Sequence, residues 1–196
     1  MDAVRVDEGL WRWTAPHPNW QNWPGHEREP REVGCVYYEA NDATVLIDPL
    51  IPAGEEDELF RHLDADVARQ ALPVVILLTA EWHRRSADEL ARRYDARIGG
   101  APPQGVEEIP IEGADERQVA YFIRPHAALV VCETFAVDIH GELRVCQSPA
   151  LTRPDELEAS LDRLMELPVE RLLVSHGEPV LEDAKARMAE ALARRE

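Results

Sequence analysis

The sequence predicts an α/β fold built as a four-layer αβ/βα sandwich, two mixed sheets packed face to face with helices outside. Three observations predict it. PVVILLT (residues 73–79) is a short, apolar, largely β-branched run, the pattern of a strand buried on both faces, and the apolar middle of VERLLVS (169–175) repeats it. Residues 55–71 and 157–167 place apolar side chains at helical spacing. The order of elements also repeats, with strands followed by alternating helices and strands in each half, which suggests two sheets covered by helices. At 196 residues one domain over 1–196 is expected, long enough to bury a core without staples.

The elements follow in order. AVRVDEGLWRW (3–13), VGCVYYE (33–39) and TVLIDPLI (44–51) read as strands, the last two joined by a turn at Glu39–Asp42. Between them APHPNWQNWPGHEREPRE (15–32) has four prolines and one glycine, which forbid regular structure. It reads as an ordered loop, in which His17, Trp20 and Trp23, with the preceding Trp13, either rim a cleft or simply pack. Leu59, Leu63, Val67 and Ala71 recur every four residues behind an acidic first turn, so a helix is expected there, ending before Pro73. Ser86 with Glu89 forms a capping-box pattern for a helix over 87–94. DARIGG, VEEIPI, RQVAYFI, AALVVCETFAV and ELRVC read as strands. A helix entered through Thr152 and Pro154, the strand VERLLVS, the turn HGEP and a terminal helix complete the chain.

Composition narrows the function. The 38 acidic and 21 basic side chains leave a formal charge of −17, which repels phosphate backbones, so neither nucleic acid nor an anionic membrane is an expected partner. A small-molecule ligand is. No run reaches the roughly 20 apolar residues of a membrane span. The acidic N-terminus lacks the pattern of a secretion signal, so the cytoplasm is the expected location. Cys35, Cys132 and Cys146 lack paired spacing, so a disulfide framework and a thiolate zinc knuckle are both unsignalled. There is no Gly-x-Ser-x-Gly elbow and no Gly-x-Gly-x-x-Gly fingerprint. GGAPPQG has two prolines in place of amide donors and no following Lys-Ser/Thr, so it is not a phosphate cradle.

Loops leaving the carboxyl ends of buried strands collect ligand groups in α/β proteins. Here those loops carry Asp48-Pro49, the segment Thr79–Ser86, Cys132-Glu133-Thr134 and Ser175-His176-Gly177-Glu178-Pro179.

In the order and spacing of these pieces the chain resembles the metallo-β-lactamase superfamily of metallohydrolases. VLIDPLIP is similar to its strand ending in aspartate, VVILLT to the strand opening its metal-motif loop, AALVVCETF to its late strand ending in Gly-Asp, and RLLVSHGEPV to its final strand and histidine turn. The resemblance implies hydrolysis of an ester, thioester, lactone or phosphoester with metal-activated water. It also exposes a departure. Where members with two metals carry His-x-His-x-Asp-His, this chain has Ala80, Trp82, Arg84 and Arg85, none of which can ligate a metal. Glu133 matches the bridging aspartate and His176 the last histidine; the middle histidine has only Arg124 or His126 nearby.

Two readings stay open. In one, His83, Glu133 and His176 hold a single metal ion, zinc or another, Asp48 orients a ligand histidine, and Arg84 or Arg85 holds an anionic substrate. In the other no metal binds: His83 bonds the next helix, and Arg85 replaces the metal charge by pairing with Asp48 or Glu133 in a non-catalytic protein that binds a small molecule or a partner. His62, His126 and His140 carry no motif.

Overall fold

The computed structural model of the chain describes residues 2–20, 28–113, 117–145 and 153–194. Cys146, Thr152 and Trp23 lie outside them. The first sheet is built from β1 (Ala3–Asp7), β2 (Leu10–Pro16), β3 (Glu32–Glu39), β4 (Thr44–Ile47), β5 (Val74–Leu77) and β6 (Arg97–Ile98), in that spatial order. Pairing is antiparallel as far as β4 and parallel from there to β6, because α1 (Glu56–Gln70) and α2 (Ala87–Tyr94) supply the crossovers. The second half contributes β7 (Val106–Ile111), β8 (Gln118–Ile123), β9 (Ala128–Val131), a small pair of β10 (Phe135–Val137) and β11 (Leu143–Val145), α3 (Pro154–Glu166), β12 (Arg171–Val174) and α4 (Ala184–Ala193). Its main sheet runs β12-β9-β8-β7, with β12 and β9 parallel.

Strand alternation sorts the apolar side chains into three cores. Val36, Tyr38, Val45, Ile47 and Leu77 meet Val119, Tyr121, Val130 and Leu173 between the two sheets. On the outer face of the first sheet, Trp13, Tyr37, Leu46 and Ile76 receive Leu59 and Leu63 of α1 and Leu90 of α2. On the outer face of the second, Phe122, Leu129 and Leu172 receive Leu157, Leu161 and Leu164 of α3 and Met188 of α4. The layers therefore run helices, sheet, sheet, helices. Each leucine with no exposed surface, such as Leu59 or Leu164, contributes about 1.5–3 kcal/mol of burial.

Three sequence expectations need correction. Residues 3–13 form a hairpin, not one strand, because Gly9 takes a φ of 67° that a side chain resists. AALVVCETFAV breaks after Val131, which turns Glu133 out of the ladder. Ser86 makes no capping bond to its helix; its Oγ accepts the Ile51 N–H at 3.0 Å instead, tying α2 to the loop after β4.

Candidate functional site

The two sheets are joined by main-chain bonds at one edge. Gly34 N donates to Ser175 O at 2.7 Å and Val119 N to Thr79 O at 2.8 Å; within the second half, Val137 N donates to His176 O at 3.0 Å. This seam brings the ends of β4, β5, β9 and β12 together.

Asp48 follows β4 in the left-handed region, at a φ of 50°, a conformation aspartate tolerates better than most residues. That twist turns its buried carboxylate inward. Oδ1 accepts the Thr79 N–H at 2.8 Å, and Oδ2 accepts the Thr79 hydroxyl and faces His83 Nδ1 at 2.9 Å. His83 arrives there because Glu81–Arg84 form a 3-10 turn, which points the third residue after Ala80 back at the strand end. The ring's other nitrogen, Nε2, lies 3.1 Å from Glu133 Oε1. His176 Nε2 approaches that same oxygen at 4.0 Å, while its Nδ1 lies 3.4 Å from the Pro30 carbonyl. Both histidines thus engage an oxygen through Nδ1 and face Glu133 through Nε2.

The electrostatics follow from burial against pairing. Burial pushes His83 down, but the Asp48 carboxylate outweighs it and holds the ring well above the ordinary histidine value. Burial pushes Glu133 up, yet the bond and charge of His83, with the charge of His176, bring it down to about 2. His176 is lowered, because burial outweighs the attraction of Glu133. Cys132 is pushed up to about 11 by burial, so its thiol stays protonated. Its Sγ lies 3.9 Å from Nε2 and 4.0 Å from Nδ1 of His83. Near-equal distances put the sulfur beside the ring rather than in front of the Nε2 lone pair.

The arginines divide. Arg84 points outward and pairs with Asp88, so it does not serve the cleft. Arg85 does not pair with either carboxylate of the site, which corrects the expected internal salt bridge and with it the idea that Arg85 replaces the metal charge. Its Nη1 donates to the Asp48 carbonyl at 3.3 Å and the Gly34 carbonyl at 3.5 Å, and its Nη2 to Ser175 Oγ at 3.2 Å. The space between the carboxylates is taken by His83, which reaches both, so the guanidinium is left on neutral oxygens. His83 equally departs from the reading in which it bonds the next helix.

Around the rim, Trp82 donates its indole N–H to Glu133 Oε1 at 3.4 Å and stands edge-on to the His83 ring at 6.0 Å. Trp20 lies 6.4 Å from the His176 ring, and the His17 ring 6.4 Å from Trp20. Trp13 is not at the rim. It is fully buried, with its N–H on the Leu50 carbonyl at 2.9 Å. His62 is exposed on α1, and His126 pairs with Asp7 away from the site.

Three groups carry the site without having drawn attention in the sequence. Thr79 braces Asp48, and its only signal was a polar residue ending an apolar strand. The Pro30 carbonyl positions His176, and a main-chain acceptor leaves no sequence signal. Arg12 is buried with Nη2 on the Gly177 carbonyl at 2.6 Å, and it fits only because Gly34 has no side chain: a Cβ there would sit 2.6 Å from Arg12 Nε.

The donor set decides which metal content fits. Ala80, Trp82, Arg84 and Arg85 offer nothing to a second ion. His83 Nε2 and Glu133 lie together and His176 Nε2 stands 4.0 Å from Glu133, so the two imidazoles and one carboxylate have the chemistry for a single zinc or iron ion that would draw His176 inward, with Asp48 behind His83 as an orienting carboxylate. Among the described residues, the one tight group of potential donors is His83, Cys132 and Glu133, all within 4.8 Å of one another.

No protein-family model matches the sequence, and no curated protein matches it. Solved structures do match. A metallo-β-lactamase from Pontibacter korlensis is 13% identical over 99% of this chain and 99% of its own, with a TM-score of 0.59. An archaeal metallo-β-lactamase superfamily protein from Sulfolobus tokodaii is 16% identical over 95% of this chain and 85% of its own, with a TM-score of 0.65. The protein TTHA1623, solved in a di-iron-bound form, is 20% identical over 84% of this chain and 94% of its own, with a TM-score of 0.57.

Proposed function

We propose that this chain, which has the metallo-β-lactamase fold, is a hydrolase-like protein that works with one metal ion, zinc foremost, on a small anionic ester, thioester, lactone or phosphoester. The observation that carries the reading is the shared focus of two histidines. Each engages an oxygen through Nδ1, Asp48 for His83 and Pro30 for His176, and each aims Nε2 at Glu133 Oε1.

His83, Glu133 and His176 would hold the ion, which when bound supplies Lewis acidity for water and for the scissile bond. The rest falls to the chain's own groups. With the ion bound, Asp48 would keep the His83 proton on Nδ1 while Nε2 gives up its own and turns a lone pair forward; the Pro30 carbonyl would hold the His176 proton in the same way. Arg85, held by Ser175 Oγ and two carbonyls, has no carboxylate partner among the described residues, so donors remain for a substrate anion. Trp82 and Trp20 flank the rings of His83 and His176.

Metal analysis of protein purified without chelator tests this. One ion per chain is expected; two would overturn the single-ion reading and none the metal reading. Zinc at a hundredfold excess over its Kd would add about 2.7 kcal/mol, a rise on the order of 5–10 °C in Tm for a domain of this size. His176→Ala abolishes that rise, and the exposed His62→Ala preserves it.

One observation favours a second reading. Both nitrogens of His83 face carboxylates, so the imidazolium alone can balance Asp48 and Glu133 in a non-catalytic binding protein. Its signature is an anion bound in the absence of any metal.

A further inference from the structure

We propose that Trp82 is a specificity-determining residue that selects a flat, aromatic or conjugated, anionic small molecule for this cleft. The inference rests on the cleft being the ligand site proposed above and adds the class of ligand.

Large aromatic side chains are normally buried, since each carries an apolar surface of about 150–250 Å². Trp82 and Ile139 are the exposed large hydrophobic residues among the described ones, at 40% and 58%. They are not alike. Ile139 lies in the loop after β10 and touches nothing at the site. Trp82 sits inside the 3-10 turn that delivers His83, and two contacts fix it: its N–H on Glu133 Oε1 at 3.4 Å and its ring across His83 at 6.0 Å, 78° between planes. These two contacts hold the indole toward the site rather than toward solvent. Its exposed surface is therefore an apolar wall beside Glu133.

The remaining groups set the ligand's charge. This chain carries a net −17, and its surface arginines mostly find carboxylates, as Arg69, Arg93, Arg117 and Arg124 do. Arg85, which directly follows the turn that carries Trp82, is bonded to neutral oxygens only among the described residues. A cation without a carboxylate partner among the described residues and an apolar wall, three residues apart in sequence, match a ligand that is flat at one end and anionic at the other. Ligand pockets commonly combine an apolar lining with a few such polar anchors.

Binding of two probes tests the inference on the zinc-supplemented protein by calorimetry. Benzoate and cyclohexanecarboxylate carry the same charge and the same number of carbons, but only benzoate is flat. Stacking on an indole predicts benzoate binding about five- to tenfold tighter. Trp82→Ala brings the ratio near one, and Trp82→Phe, which keeps a ring, preserves most of it. An unchanged ratio in Trp82→Ala, equal binding by the unmodified protein, or no binding of benzoate would each overturn the proposal. Metal content of the same sample reads the wider function separately. An ion without benzoate preference sinks only the role of Trp82, whereas benzoate preference without an ion sinks only the metal-dependent reading.

Discussion

Replacing Asp48 by asparagine changes one charge and almost no volume, yet it should alter both stability and metal affinity. The carboxylate accepts from the Thr79 amide on Oδ1 and from the Thr79 hydroxyl and His83 Nδ1 on Oδ2. An asparagine keeps the first bond with its carbonyl and presents an NH2 where Oδ2 was. Thr79 can rotate its hydroxyl to accept, but Nδ1 of His83 must then become the acceptor. The ring is forced into the tautomer protonated at Nε2, whose proton faces Glu133 and leaves no lone pair for an ion. Losing a buried, charge-assisted hydrogen bond costs about 1.5–3 kcal/mol, which for this size lowers Tm by roughly 3–10 °C. Loss of the orienting carboxylate weakens metal binding by about 10–100-fold. Thermal unfolding by circular dichroism and a competitive zinc titration read the two effects. An Asp48→Asn protein that melts within a degree of the parent and binds zinc unchanged would refute the role assigned to Asp48.

The pH dependence follows from signs. Glu133 is lowered from 4.5 to about 2, so its contribution is complete above pH 4.5 and disappears as pH falls through about 2. His83 is raised well above 6.5, so its contribution is complete below pH 6.5 and is lost as pH rises through the elevated folded value. Urea midpoints of the metal-free protein should therefore be highest near pH 4.5–6.5 as far as these groups decide; a steady rise toward pH 9 would contradict the His83 assignment. Gly177→Ala should prevent folding or cost more than about 3 kcal/mol, since its Cβ would lie 1.9 Å from the Val137 carbonyl oxygen. Gly141→Ala, also at positive φ but with open space around it, should cost only about 1–2 kcal/mol in denaturant titrations. Arg85→Ala breaks bonds to neutral oxygens and leaves Glu133 paired with His83, so chemical unfolding should show a loss of about 1–2 kcal/mol, without an upward shift in the titration of Glu133 followed by carboxylate NMR.

Residues such as Val75, Ile76, Leu129 and Leu172 made the buried strands legible in the sequence, because a strand covered on both faces needs apolar side chains at every position. Leu59 and Leu63, or Leu157, Leu161 and Leu164, did the same for the helices. The loops were legible as places and not as geometries. Glu81, His83 and Arg85 are all polar residues in one short segment, and only the 3-10 turn decides that His83 enters the space between the carboxylates while Arg85 reaches carbonyls. Charge complementarity alone favoured the arginine; reach favoured the histidine, whose two nitrogens span from Asp48 to Glu133. Pro30 was beyond reading for a different reason: what it contributes is a carbonyl oxygen, which every residue has.

The seam of main-chain bonds between the two halves has a kinetic consequence. Amides of Gly34 and Val119 donate from one sheet to strand ends of the other, so neither is released while the sheets remain docked. They should exchange hydrogen for deuterium only through separation of the halves, with a common free energy near that of global unfolding. Anything seated between His83 and His176 touches both halves at once and acts as a rivet across that seam. Slower exchange at these two amides would then report occupancy of the cleft directly, by a signal that requires neither turnover nor a known substrate.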